Sequence, residues 1–309
     1  HQTPNIVFSR ESCHRVRYAA PVTKKAKTGS TSKPPAPDFS HLLPDAVINA
    51  VEEVLGVACS NICRPLNSYI NRVYEVGLAD GGYIVAKFYR PGRWSAAALQ
   101  DEMDFLRELH EAELPVIASQ PGRDGAFLHK LGSTTFALFP KKGGRPLDEP
   151  SAEEWVQLGR LIGRMHAVGA RHAPRDRIRL HPRYSTRMHL EFILESGTVP
   201  ADFRAAYGDI VTALIEQIAP LFEGVEALRI HGDCHRGNIL FRPDEGYHLL
   251  DFDDMAVGPA IQDLWMILPD RLMRCRTEIE RLAEGYTAFY PMERETWRLI
   301  EPLRAMYLA

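Results

Sequence analysis

Residues that could perform chemistry are concentrated in the stretch 231–254, HGDCHRGNILFRPDEGYHLLDFDD. Asp233 and Asn238 share one polar loop, and Asp251 begins a second. Phosphoryl transfer needs such a set, because one Asp must lie near the acceptor hydroxyl while an Asn and an Asp hold Mg²⁺ on the nucleotide phosphates. The spacing H-x-D-x-x-x-x-N followed by D-F also matches the catalytic and metal loops of kinases. An acidic hairpin with a capping Asp and a turn Asn would explain single residues but not this ordered set, so we predict a phosphoryl-transfer centre.

Three positions depart from protein kinases of the eukaryotic type. His235 stands where those enzymes usually carry Lys, Gly232 replaces Arg, and Asp253 replaces the Gly of D-F-G. The motif HGDCHRGN instead resembles the catalytic loop of aminoglycoside phosphotransferases, choline kinases and their relatives. This resemblance indicates the superfamily but does not identify the acceptor substrate.

The elements that must position these loops can be predicted from apolar patterning. Apolar residues at 239–241 and 249–250 flank a turn-rich stretch, which predicts a β-hairpin that holds the two polar loops side by side. Earlier in the chain, alternation over 65–78, a turn at 79–82 and a second apolar run at 83–89 predict another pair of strands.

Lys87 lies inside the second strand of that pair. Val85 and Lys87 share one strand face, as the adenine-covering apolar residue and the phosphate-binding Lys do in kinases. The next helix, capped by Ser95, carries Glu102 beside its core face, where it could pair with Lys87. Asp101 is the rival partner. An exposed strand Lys explains the Lys87 pattern equally well, and a solvated helix Glu is the alternative for Glu102.

Other nucleotide contacts are less clearly marked in the sequence. No G-x-G-x-x-G loop precedes Lys87, so Asn67 and Ser68 could meet the phosphates through side-chain and backbone donors, or serve as ordinary turn residues. Backbone groups in the stretch 137–139, which ends at Phe139, are expected to meet the adenine edge. Residues 141–146, KKGGRP, follow as a hinge between two lobes.

Helices are predicted from caps and apolar stripes. Asp45 is expected to cap one helix, and Ser151 with Glu154 forms a capping box at another. His166 on the latter helix is expected to be structural. The basic stretch 170–189 could bind an anionic acceptor, although a solvated loop explains it better. Further helices are expected at 201–222, 262–268, 278–290 and 296–308.

Composition limits the class of protein. The chain has 309 residues, of which 45% are hydrophobic, and a net charge of −3, a balance that indicates neither a nucleic-acid nor a membrane partner. No apolar run is long enough to span a bilayer. Five cysteines without framework spacing favour reduced thiols in a cytoplasmic protein. Cys59 and Cys63 could lie one helical turn apart, but no further ligands suggest a metal site.

The chain divides into three predicted segments. Residues 1–40 form a basic tail whose Ser, Thr, Lys and Pro content predicts disorder. Residues 41–140 are the predicted N-terminal nucleotide-binding lobe, and residues 141–309 are the predicted C-terminal catalytic and acceptor lobe. The last helix is still in phase at Ala309, so we expect further native sequence after it.

Several segments together closely resemble the bacterial stress response kinase A family, namely PLNSYINRVYE, VAKFYRPGRW, HGDCHRGNIL, GPAIQDLWMIL and IEPLRAM. The resemblance runs from about residue 41 to the end. It implies an α+β, two-lobed protein-kinase-like fold of the aminoglycoside phosphotransferase and choline kinase type, with a small β-rich N-lobe and a larger, mainly helical C-lobe. It also implies a serine/threonine protein kinase that is cytoplasmic, mostly monomeric and dependent on ATP and Mg²⁺.

The family pattern also implies roles for individual residues. Asp233 would be the proton acceptor, Asn238 and Asp251 would bind Mg²⁺, and Ser68 would lie at the phosphates of ATP. Asp251 is therefore both a catalytic and a metal-binding candidate. Ile70 departs from the acidic residue that the family usually carries between the Tyr and the Asn of this segment.

Two other functions are compatible with the same residues. Small-molecule kinases that act on aminoglycosides, choline or homoserine share the chemical motif, so only the acceptor site separates them from protein kinases. A nucleotide-binding scaffold without catalysis is the third hypothesis, and the intact Lys87, Asp233, Asn238 and Asp251 argue against it.

Overall fold

The described part of the chain comprises residues 39–309 and the short strand β1 (Val16–Arg17) of a computed structural model. Strand β1 pairs antiparallel with β8 (Glu226–Ile230). The rest of the predicted basic tail before residue 39 lies outside the described residues, so its disorder stays a prediction.

The smaller lobe is built on an antiparallel sheet of five strands in the order β2-β3-β4-β6-β5. The strands are β2 (Cys59–Leu66), β3 (Arg72–Leu78), β4 (Tyr83–Phe88), β5 (His129–Leu131) and β6 (Thr134–Pro140). Helix α1 (Pro44–Leu55) packs on the sheet, where Val47, Val51 and Phe88 are buried in a common apolar core. Burial of this apolar surface holds the helix to the sheet.

The stretch 65–78 is not the single strand that its alternation predicts. It contains the end of β2, a loop at 67–71 and β3. Leu66 lies opposite Val73 in the antiparallel pair, so the chain must reverse direction between them. The alternation of residues has a period of two on both sides of the reversal, so it does not reveal the loop. Cys59 and Cys63 therefore lie on β2 rather than on a helix, and both are free thiols.

The helix caps depend on local sequence and are mostly as predicted. The Ser95 hydroxyl accepts the Ala98 N–H at 3.0 Å at the start of α2 (Ala96–Glu111). The predicted capping box of Ser151 and Glu154 is present at α3 (Ala152–Gly169). The prediction for Asp45 is wrong, because Leu43 is the N-cap of α1 and Pro44 takes the first helical position. Asp45 lies in the first turn, where its charge favours the helix dipole.

The larger lobe is organised around the packing of α3 against α7 (Arg276–Tyr286). Glycines let the two backbones approach closely at this contact. A Cβ atom on Gly159 would lie 2.1 Å from the Leu282 carbonyl oxygen, and one on Gly285 would lie 1.9 Å from the Val156 carbonyl oxygen. Larger residues at these positions would force the helices apart.

The remaining elements surround this pair. The helical ones are a π-helical turn (Pro182–Thr186), α4 (Arg187–Ser196), α5 (Ala201–Ile218), α6 (Ile261–Trp265) and α8 (Ile300–Leu308). The strands are β7 (Arg145–Pro146), β9 (Ile239–Arg242), β10 (Gly246–Leu249) and β11 (Ala256–Gly258). They form the sheets β1-β8-β11 and β10-β9-β7. The predicted hairpin of β9 and β10 is confirmed, and the predicted C-terminal helices are present with shifted ends.

A search of the described helices for membrane spans finds none that is both long enough and apolar enough to cross a bilayer.

Candidate active site

Two loops leave neighbouring strands and lie side by side: the catalytic loop, residues 231–238, and the metal loop, residues 251–254. Strand β8 leads into the catalytic loop, and the β9–β10 hairpin connects it to the metal loop. The Leu250 N–H donates to the Asn238 carbonyl oxygen at 3.1 Å. This bond fixes the end of one loop against the start of the other.

A buried carboxylate anchors the catalytic loop. Asp263 on α6 is fully buried and accepts the backbone N–H groups of His231 at 2.7 Å and Gly232 at 2.9 Å. His166 Nε2 lies 2.9 Å from the same carboxylate, in agreement with a structural role for His166. Gly232 has a φ of 86°, and a Cβ there would lie 2.1 Å from the Asp254 carbonyl oxygen. The loop therefore requires glycine at this position.

Asp233 and Asn238 are joined within the catalytic loop. The Asn238 side-chain nitrogen donates to the Asp233 backbone carbonyl at 2.9 Å, while its side-chain oxygen has no hydrogen-bond donor among the described residues. The Asp233 carboxylate lies 3.5 Å from His235 Nε2. Burial raises the pKa of Asp233, although the nearby histidine acts in the opposite direction. Asp233 therefore holds a proton more readily than an ordinary Asp.

Asp251 has the opposite electrostatic environment. Lys87 Nζ donates to its carboxylate at 2.7 Å, and this positive charge lowers the pKa of Asp251. The Asp251 side chain is still 49% exposed, so a cation can reach it. Its backbone has a φ of 61°, a conformation that is uncommon for residues with side chains and that is found repeatedly at active sites.

Lys87 is buried among three carboxylates. Its Nζ lies 2.7 Å from Asp251, 3.7 Å from Glu102 and 3.8 Å from Asp253. Burial by itself lowers the pKa of Lys87, but the negative charges outweigh it and raise the pKa well above its ordinary value. The structure thus brings Lys87 and Glu102 together. The rival Asp101 instead accepts the backbone N–H groups of residues 175 and 176.

Arg177 belongs to this cluster although the sequence pattern assigns it only to a basic loop. Its buried guanidinium donates to Glu102 at 3.0 Å and to the Asp253 carbonyl oxygen at 2.6 Å. It therefore holds Glu102 beside Lys87. The other Arg residues of the same stretch are exposed or only partly buried. Full burial, which the local sequence does not reveal, is what distinguishes Arg177.

The predicted adenine and phosphate contacts lie on the smaller lobe. Val85 on β4 is directly opposite Phe139 on β6, and both are partly buried. This pair borders Lys87, which is two positions from Val85 on the same strand. Ser68 lies on the 67–71 loop and is partly buried, without a hydrogen bond to the Lys87 cluster in the described part of the chain.

Asp251 and Asn238 could together hold a divalent cation. The described residues contain no group of three or more His, Cys, Asp or Glu side chains that could bind a metal by itself. Mg²⁺ does not need such a group, because it usually takes one or two carboxylates and completes its shell with substrate phosphate and water. A half-exposed ionised carboxylate and a side-chain amide oxygen fit this requirement.

Comparison with known sequences identifies the family to which the chain belongs. Residues 62–303 match the phosphotransferase enzyme family. A stress response kinase A from Escherichia coli O157:H7 is 37% identical over 276 residues, which cover 87% of this chain and 81% of that protein. A serine/threonine protein kinase RdoA from Salmonella typhimurium is 34% identical over 275 residues, with the same coverage of both chains.

A solved structure with a similar fold is an amicoumacin kinase in complex with AMP-PNP, Ca²⁺ and Ami. Its TM-score is 0.73 at 18% identity, with 87% of this chain and 85% of that chain covered. The family match and the fold therefore identify a phosphotransferase with the α+β, two-lobed architecture of the aminoglycoside phosphotransferase type. Within this class, the chain belongs to the bacterial stress response kinase A family, as the sequence resemblance predicts.

Proposed function

We propose that the protein is an ATP- and Mg²⁺-dependent kinase that transfers the γ-phosphoryl group of ATP to a serine or threonine hydroxyl of a protein. In this proposal Asp233 accepts the hydrogen bond and the proton of the acceptor hydroxyl. Asn238 and Asp251 hold Mg²⁺, which neutralises charge on the phosphates. Lys87, oriented by Glu102, binds the nucleotide phosphates from the other lobe.

The observation that carries this proposal is the contrast between two carboxylates on adjoining loops. Burial raises the pKa of Asp233, whereas the charge of Lys87 lowers the pKa of Asp251. A carboxylate with a raised pKa is the better proton acceptor, and one with a lowered pKa stays ionised as a metal ligand. These opposite pKa shifts within one site support different roles for the two residues, Asp233 as the general base and Asp251 as the metal ligand.

The nucleotide would contact three further residues. Val85 and Phe139, opposite each other on β4 and β6, would meet the adenine with apolar and backbone groups. Ser68 would donate to the phosphates from the 67–71 loop. The assignment of Val85 follows from the kinase arrangement, in which the strand that carries the phosphate-binding Lys also carries an apolar adenine contact. The assignment of Phe139 follows from its position opposite Val85, and that of Ser68 from the family resemblance.

The choice of a protein acceptor is supported by the relative named as a serine/threonine protein kinase. A monomeric enzyme in the cytoplasm is part of the same proposal. The four cysteines in the described residues are free thiols, which suits a reducing compartment.

A small-molecule kinase is the second candidate. The observation that favours it is the similarity in fold to an amicoumacin kinase that was solved with Ami bound. Catalytic and metal loops are shared by both kinds of kinase, so the acceptor alone distinguishes the two functions.

The test is phosphoryl transfer from γ-labelled ATP in the presence of Mg²⁺. One series offers generic protein acceptors, and another offers an aminoglycoside, choline and homoserine. We expect label on Ser or Thr of the protein acceptors. Label on the small alcohols alone would favour the second candidate, and nucleotide binding without transfer to any acceptor would favour a non-catalytic scaffold.

The metal assignment is tested on the same preparation. Asp251→Asn keeps the shape of the side chain but removes its charge, so Mg²⁺-dependent turnover should be lost. The matched control is Asp244→Asn in the exposed turn between β9 and β10, which should keep wild-type turnover. Wild-type turnover in Asp251→Asn would contradict the role of Asp251.

A further inference from the structure

Asp253, the residue in place of the D-F-G glycine, is buried and contacts residues of both lobes. It is only 4% exposed. Its Oδ2 accepts from Asn71 Nδ2 at 3.1 Å and from Arg93 at 2.5 Å. Its Oδ1 lies 3.8 Å from Lys87 Nζ, and its backbone carbonyl accepts from Arg177 at 2.6 Å. A glycine could provide the carbonyl contact but none of the others.

Asn71 reaches Asp253 from the base of the 67–71 loop. It is buried, and its side-chain oxygen accepts the Arg90 N–H at 3.0 Å, just after β4. The amide thus uses one end to hold its own lobe and the other end to hold the metal loop. Because Ser68 lies on the same short loop, the Asn71 contact sets the position of that loop relative to Asp251.

Arg93 reaches the metal loop from the segment between β4 and α2. It donates to Asp253 and also to Asp254. Its guanidinium lies 5.2 Å from the ring centre of Trp94, and Arg177 lies 4.5 Å from the same ring. The guanidinium groups of Arg93 and Arg177 therefore both contact the Trp94 ring, which restricts their movement.

Separation of the lobes would break these contacts together. Hydrogen bonds to a charged group contribute more than those between neutral groups, and a buried carboxylate left without donors is strongly destabilising. The contacts involve only groups of the chain itself.

We propose that Asn71, Arg93 and Asp253 form an interlobe clamp that keeps the 67–71 loop and the metal loop in register. Asp253 is then a positioning residue, which acts through Asn71 and Arg93 and does not contact the acceptor. This inference rests on the proposed function, because it assigns the clamp to the nucleotide site of a kinase.

The clamp is tested by exchanging the amide of Asn71 and the carboxylate of Asp253 between the two positions. Asn71→Asp places two carboxylates face to face, and Asp253→Asn removes the charge that Arg93 needs. In the double variant, the amide at 253 can again donate to a carboxylate at 71, which still accepts the Arg90 N–H. The matched controls are Asn61→Asp and Asp80→Asn, the same chemical changes at exposed positions of the smaller lobe.

Three measurements are made on the full chain: the Kd for MgADP, hydrogen exchange of the segment that contains Arg90, and KM for ATP against kcat. Asn71→Asp should weaken MgADP binding by roughly tenfold or more, because a buried charged hydrogen bond is replaced by repulsion. It should also speed exchange at Arg90 and raise KM for ATP more than it lowers kcat. The double variant should bind MgADP more tightly than Asn71→Asp, because the repulsion between the two carboxylates is removed, and both controls should match wild type.

The clamp is rejected if Asn71→Asp binds MgADP like its control, or if the double variant is no better than Asn71→Asp. Should Asn71→Asp fail to fold, recovery of folded protein in the double variant is itself the expected rescue, and its absence refutes the clamp. MgADP binding and hydrogen exchange need no acceptor. A wild-type protein that transfers no phosphate therefore counts against the proposed function alone.

Discussion

At the scale of single residues, the site gives two aspartates different environments within one pair of loops. Asp233 is partly buried beside His235, and Asp251 is half-exposed beside Lys87. Desolvation disfavours the ionised form of Asp233, and the positive charge of Lys87 favours the ionised form of Asp251. The same side-chain type is therefore suited to two different tasks.

Asp233→Asn should separate chemistry from nucleotide binding. We expect kcat to fall by about two to four orders of magnitude, since the general base is lost, while the affinity for MgADP stays nearly unchanged. Steady-state phosphorylation and nucleotide titration on one preparation measure both. Loss of MgADP binding with little effect on kcat would instead make Asp233 a metal ligand or a structural residue.

The same variant should not destabilise the protein. A carboxyl group whose pKa is higher in the folded than in the unfolded chain stabilises the fold while it is protonated, and this contribution is lost as the pH rises through its pKa. At neutral pH the ionised Asp233 therefore costs stability, which Asn removes. The melting temperature of Asp233→Asn should equal or exceed that of wild type, and a clear decrease would contradict this.

At the scale of elements, the contact between α3 and α7 depends on glycine at the positions where the backbones nearly touch. A Cβ atom at Gly159 or Gly285 would lie closer to the backbone of the other helix than Cβ atoms come to other atoms in proteins. These helices lie far in sequence from each other, and the contact brings together both ends of the larger lobe. The same lobe carries Asp263, which anchors the catalytic loop.

Gly285→Ala should therefore lower the free energy of unfolding by about 1–3 kcal/mol or more, because the added methyl group meets backbone that cannot move aside easily. The control is Gly208→Ala on α5, where a Cβ would have Leu194 Cδ1 as its nearest neighbour at 3.5 Å. That change should be neutral or stabilising, as Ala is the better helix former. Urea denaturation of both variants measures the difference, and equal effects would refute the packing argument.

His181 links stability to pH at the start of the π-helical turn that leads into α4. Its Nδ1 accepts the Arg183 N–H at 3.1 Å. Burial, together with the charge of Arg183, lowers the pKa of His181 from 6.5 to about 4. The unfolded chain then binds the proton at a higher pH than the folded chain does. The free energy of unfolding therefore falls as the pH decreases from 6.5 towards about 4.

His181→Asn keeps a side-chain acceptor for the turn but removes this titration. The variant should lose less stability than wild type between about pH 7 and about pH 5. Urea unfolding at both pH values gives the comparison. A decrease of the same size in the two proteins would show that other groups control the acid response.

At the scale of the whole molecule, the metal loop passes directly into the core. Residues 255–259 are buried, β11 occupies 256–258, and α6 begins at Ile261. The segment 251–265 contains no Ser, Thr or Tyr. Protein kinases that are switched by phosphorylation carry the phosphosite in the loop between D-F-G and A-P-E. This chain has neither the exposed loop nor an acceptor residue in that segment.

The enzyme should therefore be competent without phosphorylation. Treatment with a phosphatase, checked by mass spectrometry, should leave kcat and KM for ATP unchanged, because no loop in the metal segment needs a phosphate to become ordered. A loss of activity that returned on rephosphorylation of a mapped residue would contradict this expectation.

Features that depend on local chemistry can be predicted from the amino-acid sequence. The order of Asp233, Asn238 and Asp251, the β9–β10 hairpin and the caps at Ser95 and Ser151 all follow from short-range spacing. Each of these features is defined within a few residues by turn geometry, strand period or hydrogen bonds to nearby N–H groups. A pattern in the chain is therefore sufficient to predict them.

Contacts between groups that are distant in sequence depend on how the folded chain packs. Asn71 and Asp253 are separated by 182 residues and Lys87 and Asp251 by 164, and Arg177 is distinguished from other arginines in its stretch by burial. The loop at 67–71 was also not predicted, because the alternation of residues has the same period of two before and after the chain reverses direction. Such contacts depend on how helices and sheets pack, and packing combines residues from the whole chain in a way that no local pattern records.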